Sequence, residues 1–162
     1  MILLGLGANL PSAVGPPEET LAAALQALRE NGVRVVRRSP WYRSAPVPES
    51  AQPWYVNGVA LVRTSRPPAD LLALLHGIEA RFGRQRGELN AARPLDLDLL
   101  DYEGRLSAAG ETPVLPHPRL HQRAFVLRPL RDVAPDWRHP RLGGTVGELI
   151  AALDDSSPIE RI

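Results

Sequence analysis

The chain has 162 residues, a net charge of +1, and 44% hydrophobic and 23% charged residues, the profile of a single globular domain over 1–162 with room for a real core. It has no cysteine, which excludes disulfides, thiolate metal sites and cysteine nucleophiles, and all 19 of its Lys and Arg positions are arginine, which excludes a lysine-dependent phosphate loop and Schiff-base chemistry. Near-neutral charge argues against a nucleic-acid partner, no apolar run is long enough to span a membrane, and the start lacks a signal peptide's basic region, so a cytoplasmic protein acting off the membrane is expected.

Residues 2–7 predict a short buried strand. Its Gly5-Leu6-Gly7 does not complete a dinucleotide-binding pattern, and Pro11 interrupts the approach to a helix, so the glycines read as permitting a turn or close backbone packing. Pro16-Pro17-Glu18-Glu19 opens a packing helix with Leu21, Ala24, Leu25 and Leu28 at helical spacing, stopped at Asn31-Gly32. Residues 33–41 alternate as a strand that ends or bulges before Pro40. A long polar loop edged by aromatic residues follows, then a strand over 56–64. A second helix over 65–82 has Ser65 as its expected cap, Leu71, Leu72, Leu75 and Ile78 as its buried stripe, and Gly83 as its stop. His76 and Glu79 share a face near its end and read as a surface pair.

The most informative stretch runs from Arg84 to Asp98. If 95–102 is a strand, Asp96 and Asp98 share one face and Leu95, Leu97 and Leu99 the other. Two carboxylates that close repel unless a cation lies between them, and Mg²⁺ commonly uses one or two carboxylates plus substrate phosphates. Flanking arginines suit the rest of a polyphosphate. A half-exposed edge strand with solvated carboxylates leaves the same pattern, so this stretch alone supports both readings. Beyond it, His117 stands on stiff backbone between Pro116 and Pro118 and is not expected in the core. A helix is predicted over 121–132, with Arg123 at its start and Phe125, Val126, Leu127 and Leu130 buried; Gly144-Thr145 caps a last helix over 146–154. The order predicts an α+β fold: a ferredoxin-like βαββαβ core with an antiparallel sheet, helices on one face, and a C-terminal extension.

Several separated motifs then fall in one family's order. They are Leu4-Gly5-Leu6-Gly7-Ala8-Asn9-Leu10, Tyr42-Arg43-Ser44-Ala45-Pro46-Val47, Gln52-Pro53-Trp54-Tyr55-Val56-Asn57 and Ile78-Glu79, followed by Arg84-Gln85-Arg86, Arg93-Pro94-Leu95-Asp96-Leu97-Asp98, Pro116-His117-Pro118-Arg119 and Arg123-Ala124-Phe125. With these, the chain resembles the 6-hydroxymethyl-7,8-dihydropterin pyrophosphokinases. The resemblance implies transfer of a pyrophosphoryl group from ATP to the pterin hydroxymethyl, with release of AMP and two Mg²⁺ ions on Asp96 and Asp98. It implies ATP contacts at Glu79, Arg84, Arg86, Arg93, His117 and Arg123, with Arg84 and Arg93 joining the two aspartates in catalysis. It also implies a pterin pocket at Ser44, Ala45, Val47, Tyr55, Asn57 and Phe125, in an enzyme acting as a monomer.

The chain departs from the family pattern at Asn90-Ala91-Ala92, where an Arg-Trp pair is often found, at Pro94 in place of a Thr, and at His76 in place of a Gln. No apolar stripe runs through 84–94, which predicts a lid ordered by ligand phosphates. Two rival readings remain: a non-enzymatic ferredoxin-like binding module, in which the charged motifs do not converge, and another Mg²⁺-dependent nucleotide transferase, which needs no flat aromatic pocket.

Overall fold

The structure, a computed structural model, describes residues 1–46, 48–83, 94–154 and 158–162. In chain order the elements are β1 (Ile2–Ala8), α1 (Pro17–Glu30), β2 (Arg34–Arg38), β3 (Tyr42–Ser44), β4 (Tyr55–Arg63), α2 (Pro68–Arg81) and β5 (Asp96–Tyr102). A 3-10 turn at Leu120–Gln122 then leads to α3 (Ala124–Val133), α4 (Val146–Ala151) and β6 (Ile159–Arg161).

The strands form one sheet in the order β5-β1-β4-β3-β6, with β2 also on β4, and every pairing is antiparallel. The apolar run of β1 lies between β4 and β5 and is buried along its whole length. The strand expected over 33–41 divides at Pro40, which has no N–H to give to a ladder. Ser39 bridges the break: its backbone N–H donates to Val59 O at 2.9 Å, and its Oγ accepts the Val59 N–H at 3.0 Å.

Both predicted packing helices cover one face, as the βαββαβ reading requires. Leu21, Leu25 and Leu28 of α1 and Leu71, Leu75 and Ile78 of α2 pack on Ile2, Leu4, Leu6 and Leu97. The C-terminal extension does not trail away. Leu127, Leu130 and Val133 of α3 and Val146 of α4 close over Leu3, Val59 and Leu100 on the opposite face. The sheet is therefore covered by helices on both sides, and each fully buried Leu contributes about 1.5–3 kcal/mol.

Local readings are corrected at four places. Ser65 does not cap α2; the N-cap is Pro67, with no side-chain bond. The helix expected over 121–132 is a 3-10 turn followed by α3, divided at Arg123. The last helix ends at Ala151, though Thr145 does cap it, its side chain accepting the Glu148 N–H at 3.1 Å. In β5 the Asp/Leu alternation breaks at a bulge: Leu4 faces Leu99 while Leu3 faces Asp101, so Leu100 is an extra residue. Leu100 then packs under α3, Asp101 accepts the Trp137 indole N–H at 2.8 Å, and Tyr102 returns to the α1–α2 face.

Candidate active site

The site begins as a gap in the middle of the sheet. On the α3 face, β1 presents Leu3, Gly5 and Gly7, so beyond Leu3 the central strand carries no side chains. The flanking strands fill in the chemistry by register. Gly7 lies opposite Asn57 on β4 and Asp96 on β5, and Gly5 lies opposite Val59 and Asp98. A Cβ on Gly7 would stand 2.9 Å from Asn57 Oδ1, so the amide lies over the bare glycine. Above this floor is a cleft of about 270 Å³.

One part of the cleft is lined by Ala45 and by uncharged polar and aromatic side chains, Ser44, Gln52, Tyr55, Asn57 and Phe125, of which Ser44 and Asn57 are buried. Asn57 is 5% and Ser44 4% exposed, and the Asn57 amide donates to Ser44 Oγ at 2.7 Å. β6 supports this wall by pairing with β3, and Pro158 O accepts the Ala45 N–H at 3.1 Å. On the α3 side, the Tyr42 phenol of β3 hydrogen-bonds the Asp132 carboxylate of α3; burial, with the bond to Asp132, pushes the phenol up to about 12, so it stays a donor. That tie holds α3 over β3, and with it Phe125. Phe125 is half-buried, packing against the α3-side core and also lining the cleft; the Arg123 guanidinium lies 5.4 Å from its ring centre.

The other end is charged, with Asp96, Asp98, His117, Arg119 and Arg123 around it. Both aspartates are half-buried on the same face of β5, as the alternation predicts. His117 is fixed at two points: its backbone N–H donates to Leu100 O at 2.9 Å, and its Nδ1 accepts the Arg119 N–H at 3.2 Å. A neutral ring bonded this way carries its hydrogen on Nε2. Burial first, and the Arg123 charge second, lower the His117 pKa to about 4, with Asp96 opposing and Arg119 adding to the fall. Arg123 is the N-cap residue of α3, whose first turn has no acidic residue. A cation at the positive end of a helix dipole is locally unfavourable, and an anion there relieves it. The cleft therefore joins a slot of aromatic rings and uncharged hydrogen-bonding groups to a part that places carboxylates beside cations.

The family model for 7,8-dihydro-6-hydroxymethylpterin-pyrophosphokinase matches residues 3–135. The chain belongs to this family. A 2-amino-4-hydroxy-6-hydroxymethyldihydropteridine pyrophosphokinase of Synechocystis is 43% identical over 154 residues, covering 94% of this chain and 75% of that protein. Its namesake in Methylorubrum extorquens is 41% identical over 161 residues, covering 98% and 96%. Among solved structures, the Plasmodium falciparum HPPK-DHPS wild type with pteroate has a TM-score of 0.72 at 13% identity, a likeness of fold. The match covers 93% of this chain, which spans 43% of that longer one.

Of the residues that the pyrophosphokinase motifs single out, Ser44, Ala45, Tyr55, Asn57, Asp96, Asp98, His117, Arg123 and Phe125 line the one cleft. Val47, Arg84, Arg86 and Arg93 lie outside the described residues, as does all but Pro94 of the stretch 84–94 read as a lid. Glu79 does not stand at the surface as expected. It is 1% exposed and accepts the Leu97 N–H at 2.9 Å, which ties α2 to the strand carrying both aspartates. Sequence reasoning assigned no role to Gln52 and Arg119, which line the cleft; of its two readings of Gly5-Leu6-Gly7, a turn or close packing, the structure has close packing inside a strand. The signal was present: two glycines at period 2 inside an apolar strand leave one face bare.

Proposed function

We propose that this cleft is where the chain carries out its family's reaction, pyrophosphate transfer from ATP to hydroxymethyldihydropterin in folate biosynthesis. The observation carrying this reading is the join itself: Asn57 with the half-buried aromatic rings at one end, and Asp96, Asp98, His117 and Arg123 at the other, on one sheet face. Convergence of these residues speaks against a binding module with solvated carboxylates. The aromatic slot speaks against a nucleotide transferase with no flat acceptor.

The pterin lies in the slot between Tyr55 and Phe125, with Asn57, Ser44 and the backbone at Ala45 and Val47 reading its donor and acceptor edge. A buried polar edge makes the slot selective, because a ring lacking the right groups leaves Asn57 and Ser44 unpaired. The polyphosphate of ATP lies at the charged end. His117 donates from Nε2, and Arg123 with the α3 N-terminus offsets phosphate charge, joined by Arg84, Arg86 and Arg93. Glu79 acts near the nucleotide by fixing the β5 edge.

Asp96 and Asp98 suit Mg²⁺. They are hard oxygen donors on one face, and among the described residues no larger ligand cluster competes, so phosphates and water complete the coordination. Two bound Mg²⁺ ions would neutralise phosphoryl oxygens and hold them in line. The pterin hydroxyl oxygen bonds to the β-phosphorus and releases its proton to solvent, the bond from the β-phosphorus to the oxygen bridging it to the α-phosphate breaks, and AMP leaves with that oxygen. The protein's part is alignment and charge neutralisation, consistent with a phosphoryl transfer in which little covalent work falls to side chains.

Among the described residues no helix is long and apolar enough to cross a membrane. We place the enzyme in the cytoplasm as a single-domain monomer over 1–162 without a nucleic-acid partner, a reading supported by the near-neutral charge and by a cleft assembled within one chain. Incubation with ATP, Mg²⁺ and the pterin alcohol tests the assignment: pterin-dependent AMP is expected, and ADP release or no pterin dependence would overturn it.

A further inference from the structure

The slot's outer wall is the stretch 48–53, whose Pro48, Ser50 and Gln52 face the cleft although it has no helix or strand of its own. Its shape is set from elsewhere in the chain. Asn9, directly after β1 and only 2% exposed, donates its side-chain amide to Gln52 Oε1 at 3.0 Å and to Pro53 O at 3.2 Å. These two bonds use both hydrogens of the amide nitrogen. Gln52 in turn donates its backbone N–H to Ser50 Oγ at 3.2 Å. The line Asn9–Gln52–Ser50 thus links the end of the central strand to the wall, 43 residues away in sequence. Pro53 directly precedes Trp54 and Tyr55, so the second bond also sets where β4 and its Tyr55 ring begin.

Burying an amide is unfavourable unless its bonds are made, and packing alone would be served by an apolar side chain. We infer that Asn9 is a positioning residue for the acceptor side of the cleft: it pre-orders the 48–53 wall so that the pterin does not pay for ordering it on binding. This inference rests on the pterin-slot reading above. It predicts a division of effects, because the two Asn9 bonds go to Gln52 and Pro53, whereas Asp96 and Asp98 stand on β5, His117 in the loop before the 3-10 turn and Arg123 at the start of α3.

The test uses Asn9→Ala, Asn9→Asp and Gln52→Ala in the full chain. Asn9→Asp keeps the shape but has no N–H to give, and the Pro53 carbonyl cannot turn away. Asn9→Ala and Asn9→Asp should raise the KM for the pterin roughly 10- to 100-fold, the loss of one or two buried hydrogen bonds. The kcat at saturating pterin and the affinity for a non-hydrolysable ATP analogue should stay within about 3-fold, which is under about 0.7 kcal/mol. Gln52→Ala, a loop change that leaves the core intact, should move the pterin KM in the same direction and keeps the inference testable if an Asn9 variant fails to fold. A separate readout needs no turnover. In the ligand-free protein, NMR order parameters for 49–53 should fall below about 0.6 in the Asn9 variants and stay high in the wild type. Unchanged order there, an unchanged pterin KM in Asn9→Asp, or equal losses of pterin and ATP-analogue affinity would each overturn the inference. A wild type that orders this wall through Asn9 yet makes no AMP would overturn the activity reading instead.

Discussion

Gly7→Ala is the sharpest probe of the cleft floor. The added Cβ would meet Asn57 Oδ1 at 2.9 Å, while its next neighbour, Val56 O, is 3.8 Å away. The conflict is with one side-chain amide and not with backbone, so the sheet can keep its register while Asn57 turns aside. Turning strains the 2.7 Å bond from Asn57 to Ser44 Oγ, and both residues are at most 5% exposed. Leaving such groups unpaired costs about 1–3 kcal/mol, offset by roughly 0.5–1 kcal/mol because Ala is favoured over Gly within a strand. Net destabilisation of about 0–2.5 kcal/mol is expected, a fall in Tm of no more than about 10 °C for a chain of this size. Binding should suffer more, because the displaced amide also loses its place against the pterin edge; affinity should fall roughly 5- to 150-fold. Titration with the pterin in the presence of Mg²⁺ and an ATP analogue measures this, with thermal melting alongside. Gly5→Ala is the control, since the nearest atoms to its Cβ would belong to the Leu100 side chain at 3.4 Å, an ordinary contact. Wild-type pterin affinity in Gly7→Ala, or an equal loss in Gly5→Ala, would refute the reasoning.

Asp96→Asn and Asp98→Asn each remove a charged ligand while keeping shape, and AMP release at saturating substrates should fall by roughly 100-fold or more, near-normal rates in both refuting the metal assignment. Asn57→Ala should weaken the pterin by about 1–3 kcal/mol and leave ATP-analogue binding almost unchanged by calorimetry. His139 supplies a pH test: it is 4% exposed, its Nδ1 accepts the Arg141 and Leu142 N–H groups, and burial, then His121, lower its pKa below 6.5. Below pH 6.5 the unfolded histidine takes a proton that the folded one resists, so its stabilisation is complete above that value and is lost as the pH falls towards the folded pKa. His117 adds loss in the same direction between 6.5 and about 4. His139→Asn, which retains an acceptor and takes up no proton, should flatten the decline in urea midpoint below pH 6.5; identical slopes in variant and wild type would contradict it.

Period and punctuation in the sequence by themselves determine much of this protein. The alternation of Asp96 and Asp98 against Leu95, Leu97 and Leu99 depends only on the pleat of a strand, which is local, so the shared face of the carboxylates was legible. The leucine stripes of α1 and, apart from the only half-buried Leu72, of α2 were legible because helical periodicity is also local, and the motif order was enough to suggest the family. Periodicity says which residues share a face but not what covers it. The extension could therefore be read as an appendage, whereas burial of Leu3, Val59 and Leu100 draws α3 and α4 onto the open side of the sheet and turns Phe125 into the cleft. Register is likewise a sum over many long-range pairings. Only the folded sheet sets Gly7 between Asn57 and Asp96, adds Leu100 as a bulge, turns Glu79 to the Leu97 N–H and brings Asn9 to Gln52. Each of these depends on partners 18 or more residues apart, whose closeness is decided by how both faces of the sheet bury apolar surface together and not by any local preference.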